Sequence, residues 1–195
     1  MPHLQPGMTV GLFGGSFNPP HEGHLLVAKL ALQRLGLDQL WWLVTPGNPL
    51  KSGNGLAPLA ERLAHSDTMA GDPRIRVTAI EKTLGTAYTA RTIRHIIRRN
   101  PAVHFVWIMG ADNLGDFHRW QEWRRIAATV PIAVIDRPGA TLTYLSSKAA
   151  RALDKARVPE RAARALPRMK PPAWTFIHGP RSAISSTALR QESKR

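Results

Sequence analysis

The sequence predicts an α/β fold: a doubly wound, mostly parallel sheet with helices on both faces. Three observations point there. Short apolar runs such as residues 103–109 (VHFVWIM) lack strict in-out alternation, which marks strands buried on both faces. Segments with helical spacing alternate with those runs. Parallel neighbours also require crossovers, and the helical segments are placed to supply them.

Residues 8–13 (MTVGLF) are the first such run, ended by Gly14-Gly15. Pro19-Pro20 stands just ahead of a helical stretch, where proline's fixed φ suits a first turn. Leu25, Val27, Ala28, Ala31 and Leu32 recur at helical spacing, and Gly36 supplies the stop. Residues 40–44 read as a second strand, followed over 45–59 by a loop rich in Gly, Pro and Asn. A helix over 60–70, a strand over 75–80 and a helix over 89–99 come next. The most apolar strand, 103–109, stops at Gly110 and leads into a polar-aromatic helical region carrying Trp120 and Trp123. A strand over 130–135 follows. Residues 145–170 hold Lys148, Arg151, Lys155, Arg157, Arg161, Arg164, Arg168 and Lys170 against Asp154 and Glu160, and read as a solvated pair of basic helices. A short strand over 174–178 and a final helix from Ser185 complete the order. There is no internal repeat, so one domain over 1–195 is expected, with loose ends at 1–7 and 191–195.

The composition suits that reading. A chain of 195 residues, 43% hydrophobic and 21% charged, is a little more than one typical domain and can bury a core. Lys plus Arg number 27 against 13 Asp plus Glu, a formal charge of +14 that draws polyanions. A nucleic-acid surface would need base-reading side chains among its charges, and the basic stretch has only Tyr144 at its edge. Cysteine is absent, which excludes disulfide scaffolds, thiolate metal sites and cysteine nucleophiles. No apolar run approaches the ~20 residues of a membrane helix, and the first residues lack a signal-peptide pattern. A cytoplasmic protein with no membrane partner is expected.

The most informative stretch is Gly14-Gly15-Ser16-Phe17-Asn18-Pro19-Pro20-His21-Glu22-Gly23-His24. It follows a strand and opens a helix, where backbone N–H groups and the helix dipole favour an anion. Its glycines would let backbone approach a ligand closely. It is neither a dinucleotide fingerprint nor a phosphate-binding loop closed by Gly-Lys-Ser/Thr. Instead, His21 and His24 lie three apart on the same side of the first turn. A polyphosphate beside them would raise both imidazole pKa values and favour the cationic, doubly donating form. The plain structural alternative is that one histidine caps the helix while the other packs. A zinc pair is disfavoured, because helical metal pairs usually sit four apart and no third ligand is evident.

These residues carry a resemblance. Gly15-Ser16-Phe17-Asn18-Pro19-Pro20-His21-Glu22-Gly23-His24 resembles the signature of the nucleotidyltransferase superfamily with the His-x-Gly-His motif. Ile184-Ser185-Ser186-Thr187-Ala188-Leu189-Arg190, about 160 residues on, resembles that superfamily's Ile-Ser-Ser-Thr-x-x-Arg motif. Between them, Gly110-Ala111-Asp112, Trp120-x-x-Trp123, Thr86, Tyr88, Thr89 and Arg137-Pro138-Gly139 are similar to the bacterial nicotinate mononucleotide adenylyltransferases.

The resemblance implies adenylyl transfer from ATP to nicotinate mononucleotide, forming deamido-NAD and pyrophosphate. It implies that His21 and His24 are catalytic, and that Gly14, Gly15, Ser16, Phe17 and Gly23 line the ATP site with them. Ile184, Ser185, Ser186, Thr187 and Arg190 would hold the ATP phosphates, although helix capping alone explains the three hydroxyls. Asp112, just past the 103–109 strand with Gly110 beside it, would accept from the adenosine ribose; helix N-capping is its rival role. Trp120 would stack on the pyridine ring and Trp123 would pack. Thr86, Tyr88 and Arg137 would hold the acceptor nucleotide, and Lys51 would neutralise its phosphate. The family often has Pro-Pro-His-Lys where this chain has Asn48-Pro49-Leu50-Lys51, and often Asp where it has Asn18.

A phosphate monoester is already anionic near pH 7, so no general base is required and none is evident. Mg2+ is expected with ATP, bound mainly through phosphate oxygens and water, with no protein metal site. Two rivals stand beside this reading. One is another member of the superfamily, such as a phosphopantetheine adenylyltransferase. The other is a non-catalytic basic nucleic-acid-binding protein, which leaves both motifs unexplained. Homo-oligomerisation stays open.

Overall fold

The computed structural model describes residues 1–47, 55–136 and 144–179. Strands β1 (Thr9–Gly15), β2 (Gln39–Val44), β3 (Ile75–Thr78), β4 (His104–Gly110), β5 (Ile132–Ile135) and β6 (Trp174–Ile177) form one six-stranded sheet. Their order is β3-β2-β1-β4-β5-β6, and every neighbouring pair is parallel. The helices are α1 (Glu22–Leu35), α2 (Leu59–Ala70), α3 (Ile80–Thr83), α4 (Thr89–Arg99), α5 (Ala111–Asp116), α6 (Trp123–Thr129) and α7 (Lys148–Ala152).

The missing alternation in the strands has the expected cause, since both faces are covered. Val10, Leu12, Trp41, Leu43, Trp107, Met109, Val134 and Phe176 point to one face, where residues of α3 to α7 join the same core. Phe13, Trp42, Val44, Ile108, Ile135 and Ile177 point to the other, against α1, Ala70 of α2 and the 160–168 segment. Gly36 ends α1 in the left-handed region at φ 63, its N–H donating to the Leu32 carbonyl.

Several boundaries moved. The strand expected over 75–80 ends at Thr78, and Ile80–Thr83 turns instead into the short α3. The region around Trp120 and Trp123 is broken into α5, a 3₁₀ turn at Phe117–Arg119, and α6; Trp120 itself has extended backbone. The basic stretch is not a pair of solvated helices. After α7 it forms 3₁₀ turns at Asp154–Ala156 and Glu160–Arg168, and Ala163, Leu166 and Pro167 are buried. Pro167 lacks the N–H of a regular α-helix, and a repeat of three places Ala163 and Leu166 on one face. Arg161, Arg164 and Arg168 stay exposed.

The first residues are tied to the body of the protein. The Gly7 N–H donates to the Ala102 carbonyl, Arg168 donates to the Gly7 carbonyl, and Gln39 donates to the His3 carbonyl. Among the described residues, no helix is long and apolar enough to cross a membrane. The final helix expected from Ser185 and the tail at 191–195 lie outside the described residues.

The strand order fixes where a ligand can sit. From β1 the chain winds outward through β2 and β3, then returns to the centre at β4 and winds the other way. The loops leaving β1 and β4 therefore diverge at the carboxyl edge, leaving the crevice in which open α/β sheets bind ligands. The β1–β4 register pairs Phe13 with Ile108, two residues short of Gly15 and Gly110.

Candidate active site

The histidine motif and the Gly110-Asp112 segment, far apart in sequence, thus leave adjacent central strands at the same edge of the sheet. The segments containing Thr45, Thr86 and Asp136 follow β2, β3 and β5 at that edge.

His21 and His24 stand on the same side of the first turn, as the spacing suggested. His21 is the N-cap of α1, with extended backbone at φ −154 and ψ 168, and His24 is the third helical residue. Each ring caps the other's end of the turn. Nδ1 of His21 accepts from the Gly23 N–H at 3.1 Å, and Nδ1 of His24 accepts from the His21 N–H at 3.2 Å. The buried rings lie 3.9 Å apart, centroid to centroid. This is a capping box built from two imidazoles, the same reciprocal device that Ser/Thr and Glu usually make.

One sequence expectation changes in consequence. The Gly23 N–H is used by the cap, and the His24 N–H donates to the His21 carbonyl at 2.8 Å, so an anion meets the rings and the helix dipole before it meets those amides. With each Nδ1 accepting a backbone N–H, Nε2 is the ring nitrogen left to face a ligand.

Phe17 forms the floor beneath His24. Its ring is fully buried, 4.7 Å from His24, stacked on Trp42 at 4.9 Å and edge-on to Phe13 at 5.8 Å. Phe17 has φ 46, an unusual value for a residue with a side chain, so the aromatic packing holds a strained turn. Its ring packs in the core, which leaves its backbone as the part able to face ATP. Gly14 is likewise explained by packing. A Cβ there would stand 2.6 Å from Cη2 of Trp107, so the close approach is to an indole on β4. Asn18 donates to the Gly55 carbonyl and accepts from the Ala57 N–H, a double role that an Asp could not fill at Gly55.

Gly110 is the N-cap of α5 and has no side chain to cap with; Asp112 is the helix's exposed second residue, so N-capping is not its role. Trp120 stands half-buried with its ring edge-on to Trp107 at 6.2 Å and Phe117 at 5.4 Å. Trp123 packs edge-on to Phe117 with Arg124 over its face at 4.5 Å. The Thr86 hydroxyl accepts from the Tyr88 N–H, and Tyr88 is the partly exposed N-cap of α4. Lys51, Arg137, Ile184, Ser185, Ser186, Thr187 and Arg190 lie outside the described residues.

Three buried charged residues escaped the sequence reading: Arg62, Glu81 and Asp136, the last just past β5. Arg62 of α2 is buried and donates to backbone carbonyls on three sides. Its only sequence signal is that Arg62, Ser66 and Ala70, four apart, occupy the inward face of α2. Glu81 of α3 is 5% exposed. Burial pushes its carboxyl above the usual carboxylate range, against a smaller pull from the Thr45 and Thr92 hydroxyls. Thr92 donates to Oε1 at 3.2 Å, whereas Thr45 gives its proton to the Gly47 carbonyl and Oε2 finds no partner. The backbone carbonyl of Glu81 accepts from the Thr86 N–H, which ties α3 to the Thr86–Tyr88 turn.

A native pKa raised above the unfolded value contributes stability that is complete at acid pH and lost as pH climbs through the native pKa. Glu81→Gln should remove that loss. The variant should gain stability relative to the unchanged protein as pH rises from about 4.5 to about 8, across the range above an ordinary Glu. Urea unfolding of both proteins at several pH values reads this directly, and parallel curves would refute it.

The family model described as cytidylyltransferase-like matches residues 12–192. A Rhizobium johnstonii protein named "Probable nicotinate-nucleotide adenylyltransferase" is 68% identical over 193 residues, covering 99% of this chain and 97% of that protein. A protein of the same name from Mesorhizobium japonicum is 64% identical over 194 residues, covering 100% of each. Among solved structures, Plasmodium falciparum nicotinic acid mononucleotide adenylyltransferase complexed with NaAD matches with a TM-score of 0.71 at 18% identity, over 94% of this chain and 83% of that one. The same Plasmodium enzyme complexed with APC matches with a TM-score of 0.69 at 16% identity, over the same shares. At such identities the likeness concerns the fold.

Proposed function

The chain belongs to the cytidylyltransferase-like family, and from that membership we propose that it is a nicotinate-nucleotide adenylyltransferase. It moves the adenylyl group of ATP onto nicotinate mononucleotide, and deamido-NAD and pyrophosphate leave. The curated relatives at 64–68% identity over nearly the whole chain support this reading. The observation that carries it is the reciprocally capped histidine pair opening α1, at the point where the strand order reverses.

The acceptor's 5′-phosphate attacks the α-phosphorus of ATP in line, the Pα–O bond to the β-phosphate breaks, and pyrophosphate departs with that electron pair. No proton has to be removed from the attacking phosphate. Catalysis then rests on position and on stabilising charge at the α- and β-phosphates. His21 and His24 supply ring N–H donors at the positive end of the α1 dipole. Gly14, Gly15, Ser16, Phe17 and Gly23 shape the turn under the phosphates. Asp112, beside Gly110, accepts from the adenosine ribose, and Ile184, Ser185, Ser186, Thr187 and Arg190 hold the triphosphate tail. On the acceptor side Trp120 offers its face to the pyridine ring, Thr86, Tyr88 and Arg137 hold the nucleotide, and Lys51 neutralises its phosphate.

Mg2+ would accompany ATP, held by phosphate oxygens and water, and would neutralise phosphate charge. Such a reaction belongs in the cytoplasm.

Mass-spectrometric identification of products tests the proposal. The protein is supplied with ATP, Mg2+ and nicotinate and nicotinamide mononucleotides in competition, with phosphopantetheine in a parallel vessel. Deamido-NAD and pyrophosphate in equal amounts are expected. Turnover only with phosphopantetheine, or salt-sensitive nucleic-acid binding without turnover, would replace this function with one of its rivals.

A further inference from the structure

Arg62 is 2% exposed, and all its hydrogen bonds go to carbonyls. One nitrogen, Nη1, donates to the Ser16 carbonyl at 2.6 Å and to the Thr45 carbonyl at 2.9 Å, while Nε donates to the Ala57 carbonyl at 2.9 Å. None of these partners is a carboxylate. A buried cation without a counter-charge is costly, and here only the three carbonyls offset that cost. The placement therefore calls for a purpose beyond packing.

The three carbonyls indicate the purpose. Ser16 lies in the turn that leads to the histidine pair. Thr45 directly follows β2, and its N–H donates to the Gly15 carbonyl at 3.0 Å. Beside β2 packs α3, where the Glu81 backbone carbonyl holds the Thr86 N–H, and the Thr86 hydroxyl in turn holds the Tyr88 N–H. Ala57 is bound from the opposite side by Asn18 of the histidine turn. Arg62 thus ties the turn after β1, the end of β2 and the entry to α2 to one planar guanidinium.

We propose that Arg62 is a positioning residue that sets the spacing between the ATP side of the site, at Ser16, and the acceptor side, reached through Thr45. The inference rests on the adenylyl-transfer reading. In-line transfer needs reacting atoms about 3–3.5 Å apart, and a displacement of about 1 Å can lower the rate about 10²-fold. Each nucleotide would still find its own subsite when the clamp is lost, but the two would no longer meet.

The test compares Arg62→Lys and Arg62→Met with the unchanged protein, reading kcat, both KM values and the thermal midpoint. Lysine keeps the charge without the fork, and methionine removes the buried charge altogether. Expected are folded variants whose kcat falls about 10–100-fold, with the Lys variant above the Met variant and both KM values within about threefold. A kcat within about twofold of the unchanged protein in both variants would overturn the proposal, as would a loss confined to one substrate's KM. If neither variant folds, Arg62 maintains the fold and the positioning role is refuted. Failure of the unchanged protein to turn over ATP with nicotinate mononucleotide would instead refute the functional reading, and this inference with it.

Discussion

Replacing His24 by alanine should lower turnover about 10²–10³-fold while ATP still binds, because one preorganised donor to the developing charge is lost. The reciprocal cap complicates the experiment in a useful way. His24 also accepts the His21 N–H, so the alanine variant loses a capping bond along with the ring. A lost cap typically costs about 0.5–2 kcal/mol of stability and need not reach the chemistry. His24→Asn separates the two roles: its side-chain oxygen can accept the same N–H, but it has no equivalent of Nε2–H. The asparagine variant should recover stability and remain as slow as alanine. Pyrophosphate release, ATP titration calorimetry and thermal midpoints read these outcomes. Turnover near that of the unchanged protein in His24→Asn would make His24 a cap and remove it from catalysis.

Phe17→Ala should be the most destabilising single change at the site. The ring is fully buried between Phe13, Trp42 and His24, and loss of such a phenyl group costs about 3–5 kcal/mol. For a chain of this size each kcal/mol lowers the midpoint by about 2–4 °C, so a fall of roughly 10 °C is expected. Alanine also keeps the burden of φ 46 without the packing that sustains it. Turnover should fall further than unfolding explains, because the floor under His24 is gone. Urea unfolding gives the first number, and kinetics at a temperature where both proteins are folded gives the second. A stability loss below about 1 kcal/mol would show that the site collapses onto the vacancy and that the floor is not needed.

Local pattern explains what could be read in advance. The helix expected over 89–99 is Thr89–Arg99, and the strand expected over 103–109 is His104–Gly110, because periodicity and flanking glycines are properties of neighbouring residues. The capped helix start could also be read, since a cap involves residues within four positions. The 160–168 segment misled because its charges resemble a solvated helix, while Pro167 and its burial against the sheet turned it into a 3₁₀ run. Trp120 was expected inside a helix, yet Glu122, at φ 56, begins the next helix after a break.

By itself the sequence determined the alternation of strands and helices, the double coverage of the sheet and the two histidines placed after its first strand. It could do so because each follows from side-chain spacing or from a contiguous motif. The tertiary structure alone decided the packing of Trp107 over Gly14 and the burial of Arg62 and Glu81. Those depend on which side chain arrives from another strand or helix and which carbonyl it meets there, and no spacing along the chain records that.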